Sequence, residues 1–444
     1  PGRRRWLAHA AALTAGAAGV TGVAGLAGCG GGEDRREAQV RLVVATRFYG
    51  ALDLLADDRV VHAAVAYGGS ESFRGIVTGN VDLRITRAGS PAALASPRPA
   101  LSERRRYALV AFGGEAGLRT ALLEEETREA DRNRARLRVL NAAPEAGQLD
   151  VYLTAPEVEL KDAEPLHAGA AVGTPTAFAV VDAARWRLRI TAAGDKDDLR
   201  LDLADVQLGS TQVATLVLTD GAGGVLVDAL LMTQRGTIAR LDGAMARVRA
   251  VAGVTDSGSV VARVGGVLLM NGVGAPAIGA YGLVPAGDAG GAGGAGLSVT
   301  VDGREVAVAP PAGGLVAGAD YTLLVWGPAD AARADWTLDD NRPPAVANRA
   351  RLRLVHAVAT LAAPLSLTLD FTPLAAGVEP GRASVPATVL PAVRGRLAVT
   401  ASGVAEPLFR DDEALLNAGE VYTVFVLGRA DAPTGVIYRD REAG

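Results

Sequence analysis

The amino-acid sequence predicts an all-β chain, four tandem β-sandwiches behind an export signal. Three observations carry that prediction. Strand markers recur about every hundred residues. Short Val, Leu and Thr runs alternate with Gly, Pro and Asp turns. The length of 444 residues exceeds one ordinary domain of about 100 to 200 residues. Composition removes other classes. With 45 Lys+Arg, 49 Asp+Glu, 49% hydrophobic residues and one cysteine, the chain is neither disordered nor disulfide-stapled, carries no multi-cysteine metal site, and is no basic nucleic-acid binder. Aromatics reach only 4%, so the cores must be built from Val, Leu, Ile and Ala.

The first element is residues 1–28, where Arg3, Arg4 and Arg5 precede an uncharged Ala/Gly/Val/Leu run, the pattern of a signal peptide. Leu26-Ala27-Gly28-Cys29 resembles a bacterial lipobox, which implies cleavage before Cys29 and lipidation of its thiol. Two or three acyl chains would anchor the protein stably to a membrane, at about 0.8 kcal/mol per buried CH₂. Arg3-Arg4-Arg5-Trp6-Leu7 looks like a twin-arginine export motif. Residues 29–38, beginning Cys29-Gly30-Gly31-Gly32, read as a flexible tether. Gly30 rather than Asp after the cysteine leans toward the outer membrane in a Gram-negative host, so the expected location is the cell envelope or cell surface.

Four immunoglobulin-like units follow, at 39–132, 133–243, 244–346 and 347–444. Each opens on an alternating strand with an arginine, at Arg41, Arg138, Arg249 and Arg353, spaced by 97, 111 and 104 residues. A middle strand carries Leu83, Leu188, Leu297 and Leu397 and runs into Gly89, Gly194, Gly303 and Gly403. A late strand begins at Tyr107, Ala214, Tyr321 and Tyr422, six residues after Leu101, Leu208, Leu315 and Leu416. A tyrosine so placed matches the corner of an immunoglobulin-like sandwich, where its hydroxyl turns back onto upstream backbone; Ala214 in unit two cannot do this. Arg185 to Ile190 alternates with period two, which predicts a half-buried strand with its arginines in water. Leu122 to Asn133 and Ala329 to Asp335 are the only stretches with helical character and read as boundary loops or a single turn. The Gly-rich insert Ala286 to Gly296 reads as a low-complexity loop, since no Gly-Lys-Ser/Thr follows it.

Ala135 to Tyr152, with Arg138, Asn141-Ala142, Pro144-Glu145 and Asp150-Val151-Tyr152, resembles the opening of the bacterial secreted family called domain of unknown function 4397. Unit four repeats its first part as Arg351 to Ala357, with His356-Ala357 in place of Asn-Ala, and Ala51 to Leu54 in unit one echoes the Asp step. The resemblance implies immunoglobulin-like modules on an envelope or secreted protein and transfers no catalytic residue.

Candidates for chemistry are few. His62, His167 and His356 are scattered, without metal-ligand spacing, and His356 reads as a structural histidine. Gly68 to Ser72 lacks the last glycine of a nucleophile elbow. Glu124-Glu125-Glu126, Asp195 to Asp198 and Asp339-Asp340 could offer oxygen ligands to Ca²⁺ at unit junctions but read as solvated boundaries, and Arg104 to Arg106 as an exposed turn. The reading is therefore a non-catalytic envelope lipoprotein, structural or adhesive, with no catalytic, cofactor or metal residue, no cofactor and no nucleic acid. Its partners are the membrane through Cys29 and a protein or polysaccharide. One rival is a carbohydrate-binding module using Trp336 as its exposed platform; another is an envelope hydrolase with a dispersed site.

Overall fold

The computed structural model describes residues 37–125, 128–234, 236–256, 258–289 and 296–442. The signal peptide, Cys29 and most of its tether, and most of the Gly-rich insert lie outside the described residues. Nearly every described element is a strand, and only two single 3₁₀ turns occur among the described residues, at Leu160–Asp162 and Ala329–Ala331. The strands form four two-layered sandwiches, each with its own core.

Sandwich one shows the plan. Its inner sheet runs in the order Gly117–Glu124, Arg106–Gly114, Glu37–Val44, Arg74–Val77; its outer sheet runs Arg59–Val65, Leu52–Ala56, Leu83–Arg87, Ala93–Ala95. Val40, Leu42, Leu52, Leu54, Leu83 and Ile85 fill the space between. The opening strand pairs in parallel with the late strand, Val40 beside Tyr107, and the late strand pairs antiparallel with the closing strand, Tyr107 beside Glu124. The same three-strand rank recurs as Leu137, Ala214, Thr233, as Val248, Tyr321, Leu338, and as Leu352, Tyr422, Arg439. The chain therefore enters and leaves every sandwich at the same end.

The predicted corner is present. The hydroxyls of Tyr107, Tyr321 and Tyr422 accept the N–H of Ser102, Val316 and Asn417 at 3.1, 3.1 and 2.9 Å. In sandwich two, where Ala214 replaces the tyrosine, the Gln212 side-chain oxygen takes the N–H of Gly209 at 2.5 Å instead. Gly318 and Gly419 in these corners adopt φ of 77° and 83°, a region open to glycine at little cost.

The opening strands do not alternate as expected. All ten residues of Ala350–Ala359 are buried, as are the last eight of Met245–Thr255. The reason is that the inner sheets stack in pairs. Val43, Val110 and Phe112 of sandwich one meet Leu140, Val217 and Leu230 of sandwich two; Val251, Leu324 and Trp326 of sandwich three meet Val355, Phe425 and Leu427 of sandwich four. A strand between two cores loses its polar face. Arg189 also departs from its expected place in water: it is buried and donates to Thr154 Oγ1 and Val158 O at 2.7 and 2.8 Å.

Candidate functional site

The outward faces of the inner sheets carry the most concentrated chemistry. The opening-strand arginines sit there, each beside its late strand, where Arg138, Arg249 and Arg353 stand opposite Thr215, Thr322 and Thr423. Each Nε donates to that threonine hydroxyl, at 2.9, 2.9 and 2.7 Å. An aromatic ring just ahead of the neighbouring edge strand covers three of the four: Arg41 lies 5.0 Å over Phe73, Arg138 4.7 Å over Phe178 and Arg249 4.6 Å over Tyr281.

Between sandwiches three and four the pairing crosses over. Arg249 Nη1 reaches Asp440 Oδ1 of sandwich four at 2.5 Å, and Arg353 Nη1 reaches Asp339 Oδ1 of sandwich three at 2.8 Å. Each aspartate also accepts its own sandwich's threonine hydroxyl, Thr322 to Asp339 and Thr423 to Asp440. Tyr281 adds a bond to Asp339 at 2.6 Å. All four charged side chains are at most 2% exposed. Burial works against the charge of Arg249, but Tyr281, Asp440 and Asp339 outweigh it and hold its guanidinium above the usual range. Between sandwiches one and two, Arg41 is bonded to Glu125 of its own sandwich and to Gly236 O of the next at 3.3 Å, and Arg138 donates to Glu124 O at 3.1 Å. The acidic stretches expected as solvated boundaries thus split. Glu125 and Asp339 are buried ion-pair partners because a neighbouring sheet, not water, faces them. Asp340 is chelated by Arg342 and Arg351; burial alone would push its carboxyl up, but those bonds and charges bring it down to about 2. Asp198 is held by Arg200.

The residues shared with the family resemblance have local structural work. Asp150 accepts two backbone N–H groups, Gly169 at 2.6 Å and Gly194 at 2.9 Å, tying a bulge to the turn after the middle strand. Asp53 does the same with Ala64 at 2.6 Å and Gly89 at 3.0 Å. The side chain of Asn141 accepts Ala143 N–H and donates to Gly147 O and Ala170 O. His356 matches it: Nδ1 accepts Val358 N–H at 3.2 Å and Nε2 donates to Ala363 O at 3.3 Å. That arrangement defines a neutral ring, and burial lowers its pKa below the ordinary value. His62 is likewise buried, with Nε2 on Val40 O at 3.1 Å, and His167 contacts Thr176.

Two clefts lie where the stacked pairs meet. One, of about 480 Å³, is lined by Thr46 and Phe48 of sandwich one, Glu145 and Asp220 of sandwich two, Val316 of sandwich three and Arg342. Burial, then the neighbouring Glu145 charge, raises the Asp220 carboxyl well above its ordinary range, and burial raises Glu145. Asp220 accepts Glu145 N–H at 3.0 Å. The other, of about 760 Å³, is lined by Asp195, Asp198, Arg200, Arg247, Arg439 and Arg441. Arg441 spans the junction: it donates to Gly224 O at 2.6 Å, to Asn341 O at 3.3 Å and to Glu145 O. Burial, then repulsion from Arg200 and Arg247, brings its guanidinium down to about 10. Among the described residues no three His, Cys, Asp or Glu converge as a metal site.

Trp336 does not form an exposed platform. It lies on the strand Arg333–Asp339, packs edge-on to Tyr321 at 6.2 Å between ring centres, and donates Nε1 to Ala309 O at 2.8 Å. The expected loop is a strand because this segment is the closing strand of sandwich three, which aligns on Asp320–Pro328.

Residues 38–152 match the family described as Domain of unknown function (DUF4397), a segment that covers sandwich one and the first two strands of sandwich two. No curated protein matches the chain. Among 14 matching solved chains is "The Bacillus anthracis TIE protein", at 9% identity over 85% of this chain, with a TM-score of 0.15; the alignment spans 66% of that protein, just under two thirds.

Proposed function

We propose that this chain, whose residues 38–152 carry a segment of the family Domain of unknown function (DUF4397), is a non-catalytic lipoprotein of the cell envelope that serves as a rigid structural or adhesive body. One observation supports this reading above the others: the polar residues that stand out by repetition are used up internally. The opening-strand arginines bind neighbouring sandwiches, Asp53 and Asp150 hold bulges and turns, and Asn141 and His356 close strand ends. Such use makes a stiff scaffold and leaves no converging nucleophile and base among these groups. Ligand presentation then falls to the outer sheets and the sandwich junctions. Lipidation at Cys29 would hold the scaffold to the membrane.

The test has two arms. Radiolabelled palmitate should enter the wild-type chain in cells and not Cys29→Ser, which should move to the soluble fraction. Soluble chain from Gly30 onward should show no turnover across a panel of esterase, glycosidase and peptidase substrates while retaining adhesion of coated beads to envelope polysaccharide or protein. Turnover abolished by Asp220→Asn would replace the proposal with the hydrolase reading.

A further inference from the structure

The polar cleft of about 760 Å³ is lined by four arginines, and three of them have a carboxylate. Arg200 holds Asp198 through Nε and Nη2, at 2.7 and 2.5 Å, and Arg247 holds Asp320 in the same two-point way, at 2.9 and 2.8 Å. Arg439 reaches Glu420 at 3.5 Å and bonds Glu442. Arg441 is the exception. Its Nη1 donates to Gly224 O and Asn341 O and its Nη2 to Glu145 O, and among the described residues it forms no ion pair.

Arg441 nevertheless stays charged at neutral pH, since burial and the charges of Arg200 and Arg247 bring it down only to about 10. The acids that favour its charge are Asp220 and Asp320. Asp320 is already held by Arg247, and Asp220 is linked to Arg441 only through the Glu145 backbone, whose N–H it accepts. The acids of the lining do not complete the site either. Asp440 turns its carboxylate into the seam between sandwiches three and four, with none of its side chain exposed, and Asp195 is exposed and accepts Asp197 N–H at 2.9 Å. The carbonyls take three of the five guanidinium donors of Arg441. Its Nε has no partner and is not sealed from solvent. That atom begins the two-point bond in Arg200 and Arg247, the geometry that suits a carboxylate or a phosphate.

We propose that this cleft binds an oxyanion, a carboxylate or phosphate group, with Arg441 as its anchor. A ligand of this class supplies the one countercharge that the junction lacks, and the volume lies within the range of about 300–1,000 Å³ typical of small-molecule sites. The exposed Gln148 amide and the backbone of Ala192 and Ala193 line the same cleft and can bond hydroxyl groups, so an acidic sugar fits it. The inference deepens the adhesive reading by giving the polysaccharide partner a negative charge, and it rests on that reading only for the polymer.

Isothermal titration of the soluble chain from Gly30 onward with inorganic phosphate, glucuronate and glucose tests the site. Phosphate and glucuronate should each saturate one site per chain, and glucose should not bind. The tighter of the two anions identifies the source of the oxyanion, a free phosphate or the acid group of a sugar. Arg441→Gln should weaken both by about tenfold or more. Because Arg441 also ties the junction, two variants leave it in place. Gln148→Glu adds a negative charge at an exposed position and should weaken binding about fivefold; Asp195→Asn removes one, keeps an acceptor for Asp197 N–H, and should strengthen binding by a similar factor. The proposal is overturned if neither anion binds, if glucose binds as well as glucuronate, or if Gln148→Glu and Asp195→Asn both leave the affinities unchanged. Bead adhesion is scored separately: adhesion absent while glucuronate still binds removes the adhesive reading and keeps the site.

Discussion

Replacing Asp150 by alanine tests whether the family-like Asp-Val-Tyr step is a scaffold staple. The carboxylate is 5% exposed and is the acceptor for Gly169 and Gly194 N–H, 2.6 and 2.9 Å away. Gly169 stands at φ 57° in a bulge and Gly194 at φ 77° in a turn, so neither amide can be re-aimed without moving the hairpins. A hydrogen bond to a charged acceptor contributes about 1.5–3 kcal/mol, and relief of the buried carboxylate offsets part of two such bonds, which leaves a net loss of about 3 kcal/mol. That is roughly a hundredfold or more in local opening. Hydrogen-exchange mass spectrometry of peptides spanning 149–170 and 185–195 should show this loss, with peptides of sandwiches three and four unchanged. Asp53→Ala should cost less, since that carboxylate is partly exposed. Protection within threefold of wild type in the Asp150→Ala protein would refute the reasoning.

Three further outcomes follow from the same structure. Tyr321→Phe removes the acceptor for Val316 N–H and should cost about 1 kcal/mol in urea unfolding, and Gln212→Ala should do the same in sandwich two, where the amide oxygen replaces the phenol. Burial lowers His62, His167 and His356 below their ordinary 6.5, so the unfolded chain binds protons first as pH falls; stability should be level above about pH 7 and decline below 6.5, and His356→Asn, which copies the Asn141 of sandwich two, should flatten part of that decline in melting curves. Asp220 is raised by burial and by Glu145, so its folded form contributes most below pH 3.8 and loses that contribution as pH rises; Asp220→Asn, which keeps an acceptor for Glu145 N–H, should raise the midpoint at pH 7 by about 3 °C or more and give no gain near pH 3.

The repeat, the all-β class and the tyrosine corner were legible because each depends on local spacing. Leu101 to Tyr107, Leu315 to Tyr321 and Leu416 to Tyr422 carry the corner within six residues. The role of the arginines was not legible in the same way. A period-two pattern says which side of a strand faces away from its own core, but water and a neighbouring sheet both lie on that side. Arg249 and Arg353 therefore look like solvent-facing residues until the stacking of sheets is known. A signal was present in the last two repeats: an arginine on the opening strand, a threonine on the late strand and an aspartate at the end of the closing strand occur together in sandwiches three and four. Their ion pairs join residues 191 and 14 apart, and no local rule connects them. Arg189 escaped for a similar reason, since the loop that covers it, at Val158, comes from another hairpin. Trp336 reads as a loop residue because Ala329 to Asp335 just before it reads as a boundary loop or a single turn, while pairing with Asp320–Pro328 makes it strand.

Because Val40, Tyr107 and Glu124 stand abreast, a tug applied between the two ends of sandwich one falls on the two strands that flank the late strand, both loaded at the same end of the sheet. Such a load peels rungs one after another, where a load along opposed ends would strain them all together. Adding sandwiches of this kind therefore thickens the assembly more than it lengthens it, and mechanical resistance must come from the seams between stacked sheets. The charged seam joining Arg249 to Asp440 and Arg353 to Asp339 is the one built to carry it.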